Sequence, residues 1–235
     1  TGRKIKVRRE ILVSATAHES WVALMEDEQL VEMMLDRADQ GRLLGDIYLG
    51  KVEAVLPGIQ AAFVDIGTEK AGFLHVSDLE MGEDDDENGG GGGGRRRRDR
   101  KYPPIQDHIR KGQEIIVQVT KEPISTKGPR LTAEISLPGR FLVYMPGSSR
   151  VGVSRKIEDR EERARLRQLA KSVLPKDQGG IIVRTVGEEL NEETFQKDFK
   201  RLSSRWRKIL KKREGVKEPS SLHGDATLIS GVIRD

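Results

Sequence analysis

The sequence contains no cysteine, so neither a disulfide nor a thiolate-bound metal can form within these residues, which fits a cytosolic setting. Aromatic residues are scarce, at 4%, and hydrophobic residues reach 35% against 34% charged. That balance supports modest cores beneath a heavily solvated surface. No apolar run approaches the roughly 20 residues that span a bilayer, and the opening TGRKIKVRRE lacks the apolar centre of a secretory signal. The expectation is a cytoplasmic chain without a membrane segment. The histidines His18, His75, His108 and His223 are scattered. The aspartates Asp46, Asp65, Asp78, Asp225 and Asp235 form no recognisable metal-binding or acid–base constellation.

What is present points to a polyanion. The 235 residues have room for one large domain or two small ones, and 42 basic against 38 acidic side chains give a net charge of +4. The stretch Gly45–Leu79, GDIYLGKVEAVLPGIQAAFVDIGTEKAGFLHVSDL, holds three β-branched-rich runs separated by short turn signals and reads as the first half of a small β-barrel. Alternation puts Ala62, Val64 and Ile66 on one face, with Phe63 and Asp65 on the other. In the next run Leu74 and Val76 form the apolar set and leave Phe73 and His75 together on the opposite side. Two readings of the phenylalanine pair stand on alternation alone: a stacking platform for nucleotide bases, or the closure of a barrel core.

Before this stretch, Glu10–Val13, Trp21–Met25 and Leu30–Met34 read as an antiparallel meander that needs a further layer from later in the chain. After it, MGEDDDENGGGGGGRRRRDRKYPP reads as a disordered insertion spanning residues 80–104. On that tether Asp84–Glu87 are solvated carboxylates rather than a metal site, and Arg95–Arg98 are mobile cations suited to salt-sensitive phosphate contact. Gly112–Val119 resumes the barrel, and STKGPRLT turns into its last strand, carrying Lys127 and Arg130. By residue type alone that segment reads as an ordinary solvated turn.

From Ser136 the pattern changes. SLPGRFLVYMPGSSR supplies a strand bounded by Pro-Gly signals, VSRKIEDREERARLRQLAKSVL a charged helix with Leu166, Leu169 and Val173 on one side, and GGIIVRTVG a buried strand with a glycine exit. Asn191–Arg213 reads as a long helix, capped by Asn191, with Glu192 and Glu193 at its positive end and Phe195, Phe199, Leu202, Trp206 and Ile209 at helical spacing. Its basic face, including Lys197, Lys200, Arg201, Arg205, Lys208 and Lys211, admits two readings: the solvated side of an amphipathic helix, or an RNA contact. The closing ATLISGVIRD reads as one further strand cut short.

These motifs carry a resemblance. GKVEAVLPGIQAAFVDIG with GFLHVSDL, and GQEIIVQVTKEP from Gly112 to Pro123, resemble the OB-fold RNA-binding module of the ribosomal protein S-one type. ILVSATAHESWVALMEDEQLVEMMLDR leading into GDIYLGK, then KGPRLTAEISLPGRFLVYMP, VSRKI and IIVRTVG, resembles the bacterial ribonuclease E/G family over nearly the whole chain. The resemblance implies an α+β chain. Residues 1–44 would form a β-meander belonging to an RNase H-like subdomain without a nuclease centre, and 45–133 a five-stranded OB-fold barrel. Residues 134–222 would be a small α/β sensor of an RNA 5′-monophosphate, and 223–235 the start of a returning segment.

The resemblance also implies site residues: Phe63, Phe73, His75, Lys127 and Arg130 for RNA binding, and Arg184, Thr185, Gly139 and Val143 around the terminal phosphate and nucleotide. The guanidinium fork, a hydroxyl and a close-approach glycine suit that anion. The implied full-length protein is a cytoplasmic, homo-oligomeric, magnesium-dependent endoribonuclease with a zinc link between subunits, acting on single-stranded RNA in ribosomal RNA processing and messenger RNA decay. Its catalytic DNase I-like subdomain would lie beyond these residues, which hold no cofactor and are expected to bind RNA without cleaving it. A different reading of the same barrel is a non-catalytic RNA-binding adaptor in translation or ribosome assembly.

Overall fold

A computed structural model describes residues 7–37, 42–79, 102–176, 178–224 and 228–234. The chain forms two compact units, Thr1–Leu43 with Asp225–Asp235, and Leu44–Gly224.

In the first unit, β1 (Arg9–Ala15), β2 (Glu19–Glu26) and β3 (Gln29–Arg37) make an antiparallel meander in that order, as the broken apolar runs predict. Asp27 and Glu28 both take positive φ, 47° and 67°, which turns β2 into β3 with the twist a hairpin needs. Val22 is fully buried, while Leu12, Val31 and Met33 are more than half exposed. The C-terminal element differs from the strand expected there. Leu228–Arg234 is a helix, packed against β2 and β3. Its β-branched residues suggest extension, but the half-buried Ile229 and Val232 recur three apart, which is a helical and not an alternating spacing.

In the second unit, β4 (Ile47–Leu56), β5 (Ala61–Asp65) and β6 (Gly72–His75) follow one another antiparallel. A short helix, α1 (Ile105–His108), absent from the sequence reading, plugs in with Ile105 fully buried. Then β7 (Glu114–Lys121) and β8 (Arg130–Thr132) complete the sheet in the order β4-β5-β6-β8-β7, and pairing of β4 with β7 closes a five-stranded barrel. A register shift between Val52 and Ala54 lets β4 bend enough to serve both neighbours. Residues 80–101 of the expected insertion, with Asp84–Glu87 and Arg95–Arg98, lie outside the described residues. Residues 102–104 are described and lead into α1.

Beyond the barrel, β9 (Leu137–Pro138), β10 (Leu142–Met145), β11 (Val151–Val153) and β12 (Gly180–Val183) form a second sheet, ordered β11-β12-β10-β9. The parallel pair β11 and β12 is bridged by α2 (Arg160–Val173), capped by Asp159, whose carboxylate accepts the Glu162 N–H. The long helix α3 (Glu192–Glu214) is capped by Asn191 as its sequence predicts, and buries Phe195, Phe199, Leu202 and Ile209. After it, β13 (Ser220–His223) returns to pair with β4, so barrel and α/β region share one core running from Ile47 and Leu49 through Leu142 and Tyr144 to Phe195 and Leu222. Among the described residues no helix is long and apolar enough to cross a membrane.

Candidate nucleic-acid interface

Two surfaces of the second unit gather the residues singled out above. On the barrel, β5 and β6 place Phe63 directly opposite Phe73, and the rings meet edge to face with centroids 6.1 Å apart. Their strand neighbours Ala62, Val64 and Leu74 are completely buried, whereas Phe63 is 39% exposed and Phe73 half-buried. The alternation therefore resolves against the core reading, because the rings lie on the face turned from the barrel interior. The register continues the row onto β8, where Phe73 faces Arg130. Arg130 is not a loose cation: its Nε and Nη2 donate to Asp78 Oδ2 at 3.1 and 2.7 Å, which fixes the guanidinium in place. His75 lies two residues along β6 from Phe73, and its Nδ1 accepts the Ser77 N–H at 3.2 Å. Lys127 is exposed in the β7–β8 turn. That turn is held beside the start of β6 by Lys70 Nζ, which donates to the Ser125 carbonyl at 2.7 Å.

The second surface is the end of the β10/β12 pair. Between β9 and β10 the chain turns at Gly139, where an added Cβ would meet Asp198 Oδ2 at 2.6 Å, so only glycine fits without displacing that carboxylate. Asp198, on α3 and only 6% exposed, accepts the Phe141 and Leu142 N–H groups at 2.9 and 3.1 Å, both on Oδ2. Arg184 extends β12 and reaches the same turn. Its backbone N–H donates to the Phe141 carbonyl and its Nη1 to the Gly139 carbonyl, each at 2.8 Å. Thr185 begins a short helical turn whose first amides have no side-chain cap, and its hydroxyl lies 3.2 Å from Ser154 Oγ. Val143 is opposite Ile182 on the half-exposed face of this sheet, the face onto which Arg184 follows two residues later. Thus Gly139, Arg184 and Thr185 form one constellation with Val143 flanking it: a guanidinium, a hydroxyl and uncapped amides beside a turn that tolerates no side chain. Such a set offers donors to a small, multiply charged anion.

A clamp behind this turn joins α2 to the chain after Thr185. Glu162 takes two hydrogen bonds from Arg165 at 2.7 Å and one from the Glu189 N–H at 3.0 Å, and Arg165 also donates to the Leu190 carbonyl. The Arg165 hydrogen bonds, then the Glu189 amide, lower the Glu162 pKa from 4.5 to about 2. In the barrel, burial first and then the nearby Asp46 carboxylate push the Tyr48 hydroxyl up to about 12, so it stays a neutral donor.

Sequence reasoning missed Asp198, although its signal was present. Residues 195, 198, 199 and 202 share the buried side of α3, so an acid at 198 had to point inward. Among the described residues no group of three or more histidine, aspartate or glutamate side chains could hold a metal ion, and the family resemblance puts its magnesium beyond these residues.

Comparison with known proteins matches residues 136–235 to the Ribonuclease E/G family and residues 44–133 to the S1 RNA binding domain. The chain is 42% identical over 226 residues to a ribonuclease G of Haemophilus influenzae, an alignment covering 96% of this chain and 45% of that protein. It is 39% identical over 226 residues to the ribonuclease G of Escherichia coli strain K12, with the same coverage. To a ribonuclease E of a Nostoc species it is 39% identical over 214 residues, covering 91% of this chain and 29% of that protein. The chain spans about half the length of the ribonuclease G relatives it matches, at 45%.

Proposed function

From the premise that this chain belongs to the ribonuclease E/G family, we propose that it supplies the RNA-binding and 5′-monophosphate-sensing parts of an endoribonuclease. The carrying observation is the contact of Arg184 with the Gly139 turn, which assembles at one strand end the residues that the family resemblance assigns to the phosphate. In this reading Phe63 and Phe73 stack bases of a single strand at roughly 1–3 kcal/mol per base, and His75, Lys127 and Arg130 contact the same strand. Arg184 and Thr185 hold the terminal phosphate, while Gly139 and Val143 close around the first nucleotide.

The wider assignment is part of the same proposal. It comprises cleavage of single-stranded RNA in ribosomal RNA processing and messenger RNA decay by a cytoplasmic homo-oligomer that uses magnesium, with zinc between subunits. With no cysteine, these residues supply no thiolate to zinc. The test is affinity for two RNA oligonucleotides that differ only at the 5′ end. Tighter binding of the phosphorylated one supports the sensor. Equal affinity favours the adaptor reading of the sequence and removes the 5′-end assignment.

A further inference from the structure

The two long helices of the second unit differ in what meets their cations. On α2 two acids, Glu161 and Glu162, stand in the first turn, and Arg165 is neutralised by Glu162. On α3 the run KDFKRLSSRWRKILKKR, from Lys197 to Arg213, contains a single acid, Asp198, and that carboxylate is buried and committed to the Phe141 and Leu142 amides. Cations therefore stack on cations, with Lys197 over Arg201, Arg201 over Arg205 and Lys208 over Lys212, spacings at which like charges destabilise a helix. The helix dipole accounts for Lys211, Lys212 and Arg213 in the last turn. It does not account for the cations before them.

These side chains also do not stand on an open convex surface. Lys197, Lys200, Arg201, Arg205, Lys208 and Lys212 line a groove of about 920 Å³ between α3 and β13, with Ile209 and Leu222 contributing apolar lining, and no carboxylate lines it among the described residues. Lys197 is partly neutralised by Glu193 at 2.6 Å. The side chains of Lys200, Arg201, Lys208 and Lys212 make no ion pair among the described residues. Their three- to four-residue spacing runs a positive stripe about 22 Å along the helix from Lys197 to Lys212. The strand bordering the groove, β13, pairs with β4 at Ile47–Leu49, and β5, which carries Phe63, pairs with β4 from Lys51 to Leu56, while β7 takes the opposite edge over Ile47–Lys51. β13 and β5 therefore follow one another along one edge of β4, with Gly67 just past β5 against Pro219 just before β13.

We propose that the groove between α3 and β13 is a second RNA track, which holds the sugar–phosphate backbone of the strand whose bases stack on the barrel. This rests on the RNA-binding reading above and extends it to a site that neither the barrel nor the phosphate sensor contains. A groove lined by cations and without a carboxylate among the described residues suits a flexible polyanion better than a flat anionic lipid surface. The contact is sequence-blind and set by salt.

The test uses the whole chain with all four of Lys200→Gln, Arg201→Gln, Lys208→Gln and Lys212→Gln, and an unstructured labelled RNA oligonucleotide titrated over a salt series. Each lost phosphate contact removes about 0.7 from the slope of log affinity against log salt for a single strand, so the variant should be shallower by about 3, with affinity at low salt down about tenfold or more. Its melting temperature should hold or rise, because the like-charge repulsion is relieved. Phe63→Ala with Phe73→Ala, in the same assay, should lower affinity while leaving the slope in place. An unchanged slope in a folded quadruple variant overturns the track and leaves the barrel reading standing, whereas a wild-type chain that binds no RNA overturns both. Anionic phosphatidylglycerol vesicles are the third arm: loss of vesicle binding with an unaltered RNA slope reassigns the groove to a lipid surface.

Discussion

Asp198→Ala is the sharpest probe of the sensor turn, because one oxygen of a buried carboxylate carries two backbone amides. Removing it strands the Leu142 N–H, which is buried, and the Phe141 N–H, which is partly reachable by water. A buried donor left without an acceptor costs about 1–3 kcal/mol, and a bond to a charged acceptor contributes more than a neutral one, so a loss of about 2–4 kcal/mol is expected. That is a large share of the 5–15 kcal/mol that typically separates folded from unfolded states. Asp198→Asn behaves differently. Both amides use Oδ2, and an amide oxygen in that place keeps both bonds at neutral strength, for a cost of about 1 kcal/mol. Urea denaturation measures the two losses, and affinity for 5′-phosphorylated and 5′-hydroxyl oligonucleotides measures the consequence. Asp198→Ala should lose the 5′-end preference while keeping most barrel binding, since the turn that receives Arg184 Nη1 is no longer held. An alanine variant within about 0.5 kcal/mol of wild type, or an asparagine variant as damaged as the alanine one, would refute the reasoning.

Phe63→Ala and Phe73→Ala should each weaken single-stranded RNA binding by roughly 1–3 kcal/mol with little change in melting temperature, unlike a core phenylalanine, whose truncation costs about 3–5 kcal/mol of stability. A melting point that falls with the binding would return that ring to the core. Arg184→Lys should lose most of the 5′-monophosphate preference at unchanged affinity for hydroxyl ends, because an ammonium cannot fork onto two oxygens. Retention of the preference would place the sensor elsewhere. Glu162 has its folded pKa depressed from 4.5 to about 2, so its contribution to stability is present above about pH 4.5 and fades as pH falls toward 2. Thermal melts of wild type and Glu162→Gln should accordingly differ near neutrality and converge in acid; a gap independent of pH would mean that the carboxylate charge plays no part.

The elements with strong periods were legible in the sequence. Alternation in AAFVD separated Phe63 from Ala62 and Val64, though only the burial of those two shows which face is the outer one, and helical spacing with an asparagine cap located α3 within a residue or so of its ends. Shorter elements were not. β13, SSLH, is four residues without alternation, and it is a strand because β4 offers it an edge and Leu222 a buried socket. α1 is a single turn fixed by Ile105. LISGVIR reads as extended by its β-branched residues, yet packs helically on the meander because the half-buried Ile229 and Val232 are three apart. At the candidate sites, the family resemblance pointed to Arg184, Thr185 and Gly139, but the groups that hold the sites, Asp198 for the turn and Asp78 for Arg130, come from 57 and 52 residues away and leave no local trace.

The pairing of β13 with β4 has a consequence for how the chain is made. Ser220 is hydrogen-bonded beside Leu49, about 170 residues earlier, so the outer edge of β4 waits for its partner while everything between is synthesised. At 5–20 residues per second that wait is roughly 10–30 s, long compared with the microsecond formation of a local hairpin. The five barrel strands themselves can close once residue 132 has emerged, since β7 and β8 are by then available. For the remainder of synthesis the nascent barrel carries an open edge at Ile47–Leu49, a template for mispairing with another chain. Loop-closure entropy makes the final docking a late event, so on the ribosome the barrel is expected to gain its shape before α3 and β13 are in place to cover that edge.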